Sequence, residues 1–258
     1  MDWIGIFIIP GVLAVWVYVL SKLLRMREAR ATRPPLDKRK LLLTWTALLA
    51  LIPIGVLLLY LLSHMSLRHP NEPDVYNAWK TLLQLSLNIG IMLPFLLVKW
   101  RGRESWASTG VSGEGAGKAL LIGLLAAMTY IVSDLWRCGV GFGEALGMLN
   151  MNFVWALPTY AIVGFSEEWI FRGYVQPRFE VWLGRVPGWL LASLIMAMIH
   201  VPQRMIVMGM PASSALLDSL GLLPLSLLFG YMRMRTGTIW ASAVLHTGVN
   251  WENVFFGG

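Results

Sequence analysis

Long apolar runs separated by short polar segments set the pattern of this chain. The clearest runs are Trp3 to Leu24, Leu41 to Ser63, Ala78 to Val98 and Ala119 to Trp136. Phe153 to Phe171, Pro187 to about Val201, Ala215 to Met232 and Thr238 to Phe256 complete the set. Runs of roughly 20 residues match the length a helix needs to cross a bilayer. The pattern predicts an all-α, polytopic integral membrane helical bundle with about eight transmembrane helices. The sixth run is short and ends near Pro202, so seven is the alternative count. No internal repeat and no hydrophilic stretch long enough for a separate soluble domain is visible. Residues 1–258 therefore read as one membrane domain, in which 1–150 supply the first spans and 151–256 carry the polar motifs. The first run follows Asp2 without a basic leader and continues to Leu24, which suits a retained span and not a cleaved signal peptide.

Composition strengthens this reading. Of the 258 residues, 57% are apolar and only 14% charged, with 13 Trp, 14 Met and 25 Gly. A soluble domain is about a quarter charged, so a soluble enzyme is excluded. Trp79, Trp100, Trp136 and Trp240 fall near span ends, where interfacial aromatics belong. The single cysteine, Cys138, allows no intrachain disulfide and reads as a small apolar filler near a membrane face.

The net charge of +7 matters through its distribution. Of the 21 Lys and Arg, 17 lie in Lys22 to Lys40, Lys99 to Lys118, Arg172 to Arg185, and Arg233 with Arg235. Arg68, Lys80, Arg137 and Arg204 occupy the alternate connections. The positive-inside rule then places both termini outside. The basic runs are topology signals beside anionic lipid, and no nucleic-acid partner is implied.

Against this apolar background, ionisable groups inside spans are functional candidates. Glu167 and Glu168 sit near the end of the fifth span, His200 ends the sixth, and His246 lies about midway along the eighth. Asp134, Asp218 and Glu252 fall near span ends and are weaker candidates; His64 and His69 belong to an external loop. Consecutive helical residues point about 100° apart, so the two glutamates serve different partners. Glu168 and Arg172, four apart, can pair. That leaves Glu167 facing the bundle interior, where a buried carboxylate suits a general base. His246 and Asn250 share one helix face and can both donate hydrogen bonds, as an oxyanion site requires. Counted along the helices, these groups share the inner half or middle of the membrane, with a site facing the cytoplasmic half. Ser166 adjoins the glutamates but has no evident base.

Glu167-Glu168-xxx-Arg172, Met196-xxx-His200 and His246-xxx-Asn250, in this order, resemble the three-motif signature of the CPBP family. These are the CAAX prenyl endopeptidase and bacteriocin-processing (Abi) intramembrane proteases. Phe171-Arg172-Gly173-Tyr174 and Ala192-Ser193-Leu194 fit the same pattern. Met196 stands where the family usually has Phe, a bulky apolar change expected to alter packing more than chemistry. The resemblance covers about Phe153 to Asn250. It implies an endopeptidase in which Glu167 and His200 activate water, His246 and Asn250 form the oxyanion hole, and Glu168 and Arg172 support the site. The implied substrate is a membrane-anchored or lipidated peptide, prenylated or not, and no cofactor is required. Zinc held by Glu167, His200 and His246 is the metal alternative, since two His and one Glu form a catalytic zinc set. The non-enzymatic alternative is a membrane immunity or scaffold protein of the same fold. A proton-coupled transporter would be expected to carry a repeat, which is lacking.

Overall fold

In the computed structural model, residues 4–26, 28, 38–64 and 76–256 are described. A π-helical turn over Ile4–Ile8 leads into α1 (Ile9–Leu23), followed by α2 (Lys38–His64), α3 (Ala78–Arg101) and α4 (Ala116–Arg137). A short α5 (Phe142–Gly147) precedes α6 (Met151–Glu168). Beyond a π-helical stretch at Trp169–Val175 come α7 (Gln176–Leu183), α8 (Arg185–Met198) and α9 (His200–Ile206). The chain closes with α10 (Ala212–Gly221), α11 (Leu223–Thr236) and α12 (Trp240–Glu252). No strand occurs among the described residues, so the fold is the expected all-α membrane bundle.

Five helical segments are long and apolar enough to cross a membrane: Gly5–Leu23, Ala78–Arg101, Ala116–Arg137, Arg185–Ile206 and Ala212–Thr236. These five do not establish the expected eight crossings. The motif-bearing α12 has only 13 residues, roughly 20 Å at 1.5 Å per residue, and α6 carries the two glutamates within its length. Polar chemistry and a short helix thus blur the hydropathy signal where the site is built. His69, Arg68 and most of the Arg25–Arg33 run lie outside the described residues, whereas His64 ends α2.

Local chemistry sets the helix starts. Asn77 and Asn150 stand in extended conformation just before α3 and α6. Their side-chain oxygens accept from the backbone N–H of Lys80 at 2.8 Å and of Phe153 at 3.1 Å. Each satisfies one of the donors that a helix start leaves free. Packing then depends on small residues. A methyl group on Gly164 of α6 would lie 2.7 Å from Thr247 Oγ1 and 3.0 Å from Ala243 O of α12. One on Gly248 of α12 would lie 2.7 Å from Ala127 Cβ of α4. Close backbone approach of this kind holds membrane helices together where apolar burial gives little net drive. It clamps α12 between α4 and α6 and so brings His246 beside the glutamates.

Among the outer features, Cys138 departs from expectation. Trp79, Trp100 and Trp136 are exposed, as interfacial residues should be. Trp240, partly buried at the start of α12, packs on Phe165 and donates through Nε1 to Ser112 O at 3.0 Å. Cys138 is exposed and fills no packing gap. It follows the last turn of α4, where the chain has left the packed bundle.

Candidate active site

Glu167 and Glu168 end α6, immediately before the π-helical stretch that carries Arg172. Such wide turns recur at functional sites, where they break the regular α-helical register. Arg172 Nε lies 3.5 Å from Glu168 Oε2, and both side chains are fully buried. The pair expected from the four-residue spacing therefore exists, but in the core and not at an interface. Arg172 Nη2 also donates to Ser226 O at 2.8 Å and Ser226 Oγ at 2.9 Å, and meets Met196 Sδ at 3.2 Å. Met196 consequently does more than fill space, since its sulfur is an acceptor for the buried guanidinium.

Glu167 points elsewhere, as the 100° step requires. Its Oε2 has no hydrogen-bond partner among the described residues and lies 3.9 Å from His200 Nε2 and 3.9 Å from His246 Nε2. The Glu167 side chain is 23% exposed, because it faces a cavity. It is half-buried, not sealed within the bundle as the sequence suggested.

Hydrogen bonding assigns the histidine tautomers. His200 Nδ1 lies 2.9 Å from Met196 O. A carbonyl can only accept, so Nδ1 carries the proton and the Nε2 of a neutral ring offers a lone pair toward Glu167. His246 Nδ1 lies 3.1 Å from Glu168 Oε1, and the same reasoning puts a proton on Nδ1. Its Nε2 can then donate only when the ring is doubly protonated. Phe229 stacks on the His246 ring, with centroids 4.8 Å apart and planes 16° apart, and fixes its orientation.

Asn250, one turn beyond His246, lines the same cavity as Glu167, His200 and His246. This cavity has a volume of about 1200 Å³, ample for a peptide segment. Its apolar wall includes Met196, Met198, Met208, Phe171 and Phe229. The weaker candidates divide. Asp134 pairs with Arg137, and Asp218 accepts from Arg204 Nε at 2.8 Å, so both are held by cations. Glu252 is buried in the cavity wall, one and a half turns beyond His246. Ser166 Oγ bonds to Asn88 Oδ1 and to Val163 O at 3.0 Å, an arrangement without a base.

The zinc alternative is tested by the same geometry. Tetrahedral ligands at about 2.0–2.1 Å from zinc stand about 3.3 Å apart, closer than the 3.9 Å found here. No group of three or more His, Cys, Asp or Glu among the described residues is placed to hold a metal ion. The residues do not fit zinc, and no step is routed through it.

Ser226, Phe229 and Asn88 were not legible in the sequence. They are ordinary span residues with no spacing signal, and only the packing of α3 and α11 against α6 and α12 recruits them. Comparison with known proteins bears on the motif-bearing C-terminal part of the chain. Residues 149–251 match the family model described as Rce1-like, type II CAAX prenyl endopeptidase. No curated protein and no solved structure matches the chain. The matched stretch contains Glu167, Glu168, Arg172, His200, His246 and Asn250. Over that stretch the chain is similar to the Rce1-like type II CAAX prenyl endopeptidases.

Proposed function

We propose that the protein is an intramembrane endopeptidase that hydrolyses a peptide bond with water activated by Glu167 and His200. The observation that carries this reading is the unpartnered Glu167 Oε2 with two imidazole Nε2 atoms at 3.9 Å, in the wall of a peptide-sized cavity. A polar separation beyond 3.5 Å is one that a bridging water spans. Glu167, with the Nε2 lone pair of His200, removes a proton as the water oxygen attacks the peptide carbonyl. His246, doubly protonated over Glu168, donates from Nε2, and Asn250 donates from its amide, to the oxygen that becomes an anion. Both donors stand on one rigid helix, so little reorganisation accompanies the developing charge. The proton taken from water then passes to the leaving amine, and the peptide is released without a covalent intermediate. Glu168 and Arg172 position His246 and do not touch substrate.

The substrate is a membrane-anchored or lipidated peptide of CAAX type, whose anchor occupies the Met- and Phe-lined part of the cavity. The segments rich in Lys and Arg face the cytoplasm in this reading, following the charge bias of the sequence. His246 lies six residues from each end of α12, roughly 9 Å along the axis from either, so the reaction takes place near mid-depth. The test is cleavage by purified protein carrying Glu167→Ala or Glu167→Gln, with folding checked by gel filtration and circular dichroism. Both variants should be folded and inactive; full activity in folded Glu167→Ala overturns the mechanism.

A further inference from the structure

Outside the groups assigned to the reaction, the cavity wall holds one further buried acid. Glu252 is 4% exposed, lines the cavity, and has no hydrogen-bond partner for Oε2 among the described residues. It stands at the end of α12, six residues beyond His246. That is roughly 9 Å along the axis and about 120° around it. Glu252 therefore faces α4, on the side where Gly248 packs against Ala127, while His246 faces Glu167 and Glu168. On α4 its side chain meets that of Asp134, which is also buried and accepts from Arg137 Nε at 2.9 Å. Arg137 lines the same cavity.

Two acids and one guanidinium leave one negative charge without a counterpart. Ionised carboxylates only accept hydrogen bonds, so two in contact are joined only through a proton or a cation. A buried charge left unpaired is costly, and the cluster holds one or the other. The donor set is too small for a metal. No group of three or more His, Cys, Asp or Glu among the described residues is placed to hold one, and hard divalent ions take six or more oxygen ligands. An ammonium or guanidinium fits, because it brings its own N–H donors to oxygens that lack them.

We propose that Glu252, together with Asp134, is a subsite for a cationic side chain of the peptide, a Lys or Arg whose charge takes the place of the proton. This rests on the hydrolase reading of the site and names a feature of its substrate. Roughly 9 Å is about three residues of extended chain, so the basic residue lies about three positions from the cleaved bond. The long side chain of Lys or Arg covers the turn around α12. A peptide with a neutral residue there leaves the acids joined by a proton and gains nothing from Glu252.

The test uses lipidated reporter peptides with Lys or norleucine, the same side chain without its ammonium, two to four residues to either side of the cleaved bond. The ratio of kcat/KM for the two peptides is measured with wild type, Glu252→Gln and Asp134→Asn, each checked for folding by gel filtration and circular dichroism. At one position wild type should favour Lys by about 10- to 100-fold, the worth of a hydrogen bond to a charged group. Glu252→Gln, which keeps the shape, should remove that preference, and Asp134→Asn should weaken it. Glu252→Lys should instead favour Glu at that position. Equal use of Lys and norleucine by wild type at every position means that the acids hold a proton only, and overturns the inference. A Lys preference that survives Glu252→Gln overturns it too. Kd of the same peptides for Glu167→Ala protein, read by fluorescence anisotropy, gives the preference without cleavage. Tighter binding of the Lys peptide by a Glu167→Ala protein that remains fully active would defeat the hydrolase mechanism and leave the subsite. Equal Kd values with cleavage abolished would do the reverse.

Discussion

Replacing Arg172 by Met removes the one guanidinium that faces Glu168 in the core. Both side chains are fully buried, so solvent screening gives no relief. Arg172→Met leaves Glu168 with His246 Nδ1 at 3.1 Å as its remaining partner and takes the Arg172 donor from Ser226. Removing one member of a buried pair costs about 3–5 kcal/mol, which is roughly a 10²- to 10⁴-fold fall in the ratio of folded to unfolded protein. The double variant Glu168→Gln with Arg172→Met removes the stranded charge as well, and Gln still accepts from His246. It should therefore be more stable than Arg172→Met alone, with a coupling of about 1–3 kcal/mol between the two sites. The assay is SDS-induced unfolding of detergent-solubilised protein, followed by circular dichroism, for the four corners of the cycle. A cost below about 1 kcal/mol for Arg172→Met, or strictly additive changes, would refute the account of Arg172 as a charge-neutralising support.

The Gly164→Ala methyl meets Thr247 Oγ1 at 2.7 Å and backbone atoms of α12 at 3.0 Å. Backbone cannot swing aside, so overpacking should destabilise the protein by about 1–3 kcal/mol and widen the gap between Glu167 and His246, lowering kcat; unchanged thermal unfolding and activity would contradict this packing. Asn250→Ala should behave in the opposite way. Its side chain lines the cavity without a hydrogen-bond partner among the described residues, so stability should hold while kcat falls about 10²- to 10³-fold, the usual cost of one oxyanion donor. A change in KM alone would assign Asn250 to substrate binding.

The sequence by itself determined the solvent and the inventory. Apolar runs near bilayer length fixed an all-α membrane bundle, because a chain in lipid must satisfy its own backbone hydrogen bonds. Scarcity of charge made Glu167, Glu168, His200 and His246 stand out, since each ionisable group in such segments is costly. The four-residue spacings of Glu168 with Arg172 and of His246 with Asn250 were readable because one helical turn relates them. What periodicity along single helices could not supply was the relation between helices. Gly164 and Gly248 decide how closely α4, α6 and α12 approach, and that approach sets the 3.9 Å separation of Glu167 from His246. Ser226, Phe229 and the Met196 sulfur acquire their roles only across helices, where sequence distance carries no signal. The surroundings of Arg172 were decided the same way. Trp169, Arg172 and Tyr174 are fully buried together, a property of the assembled bundle and of no segment taken alone.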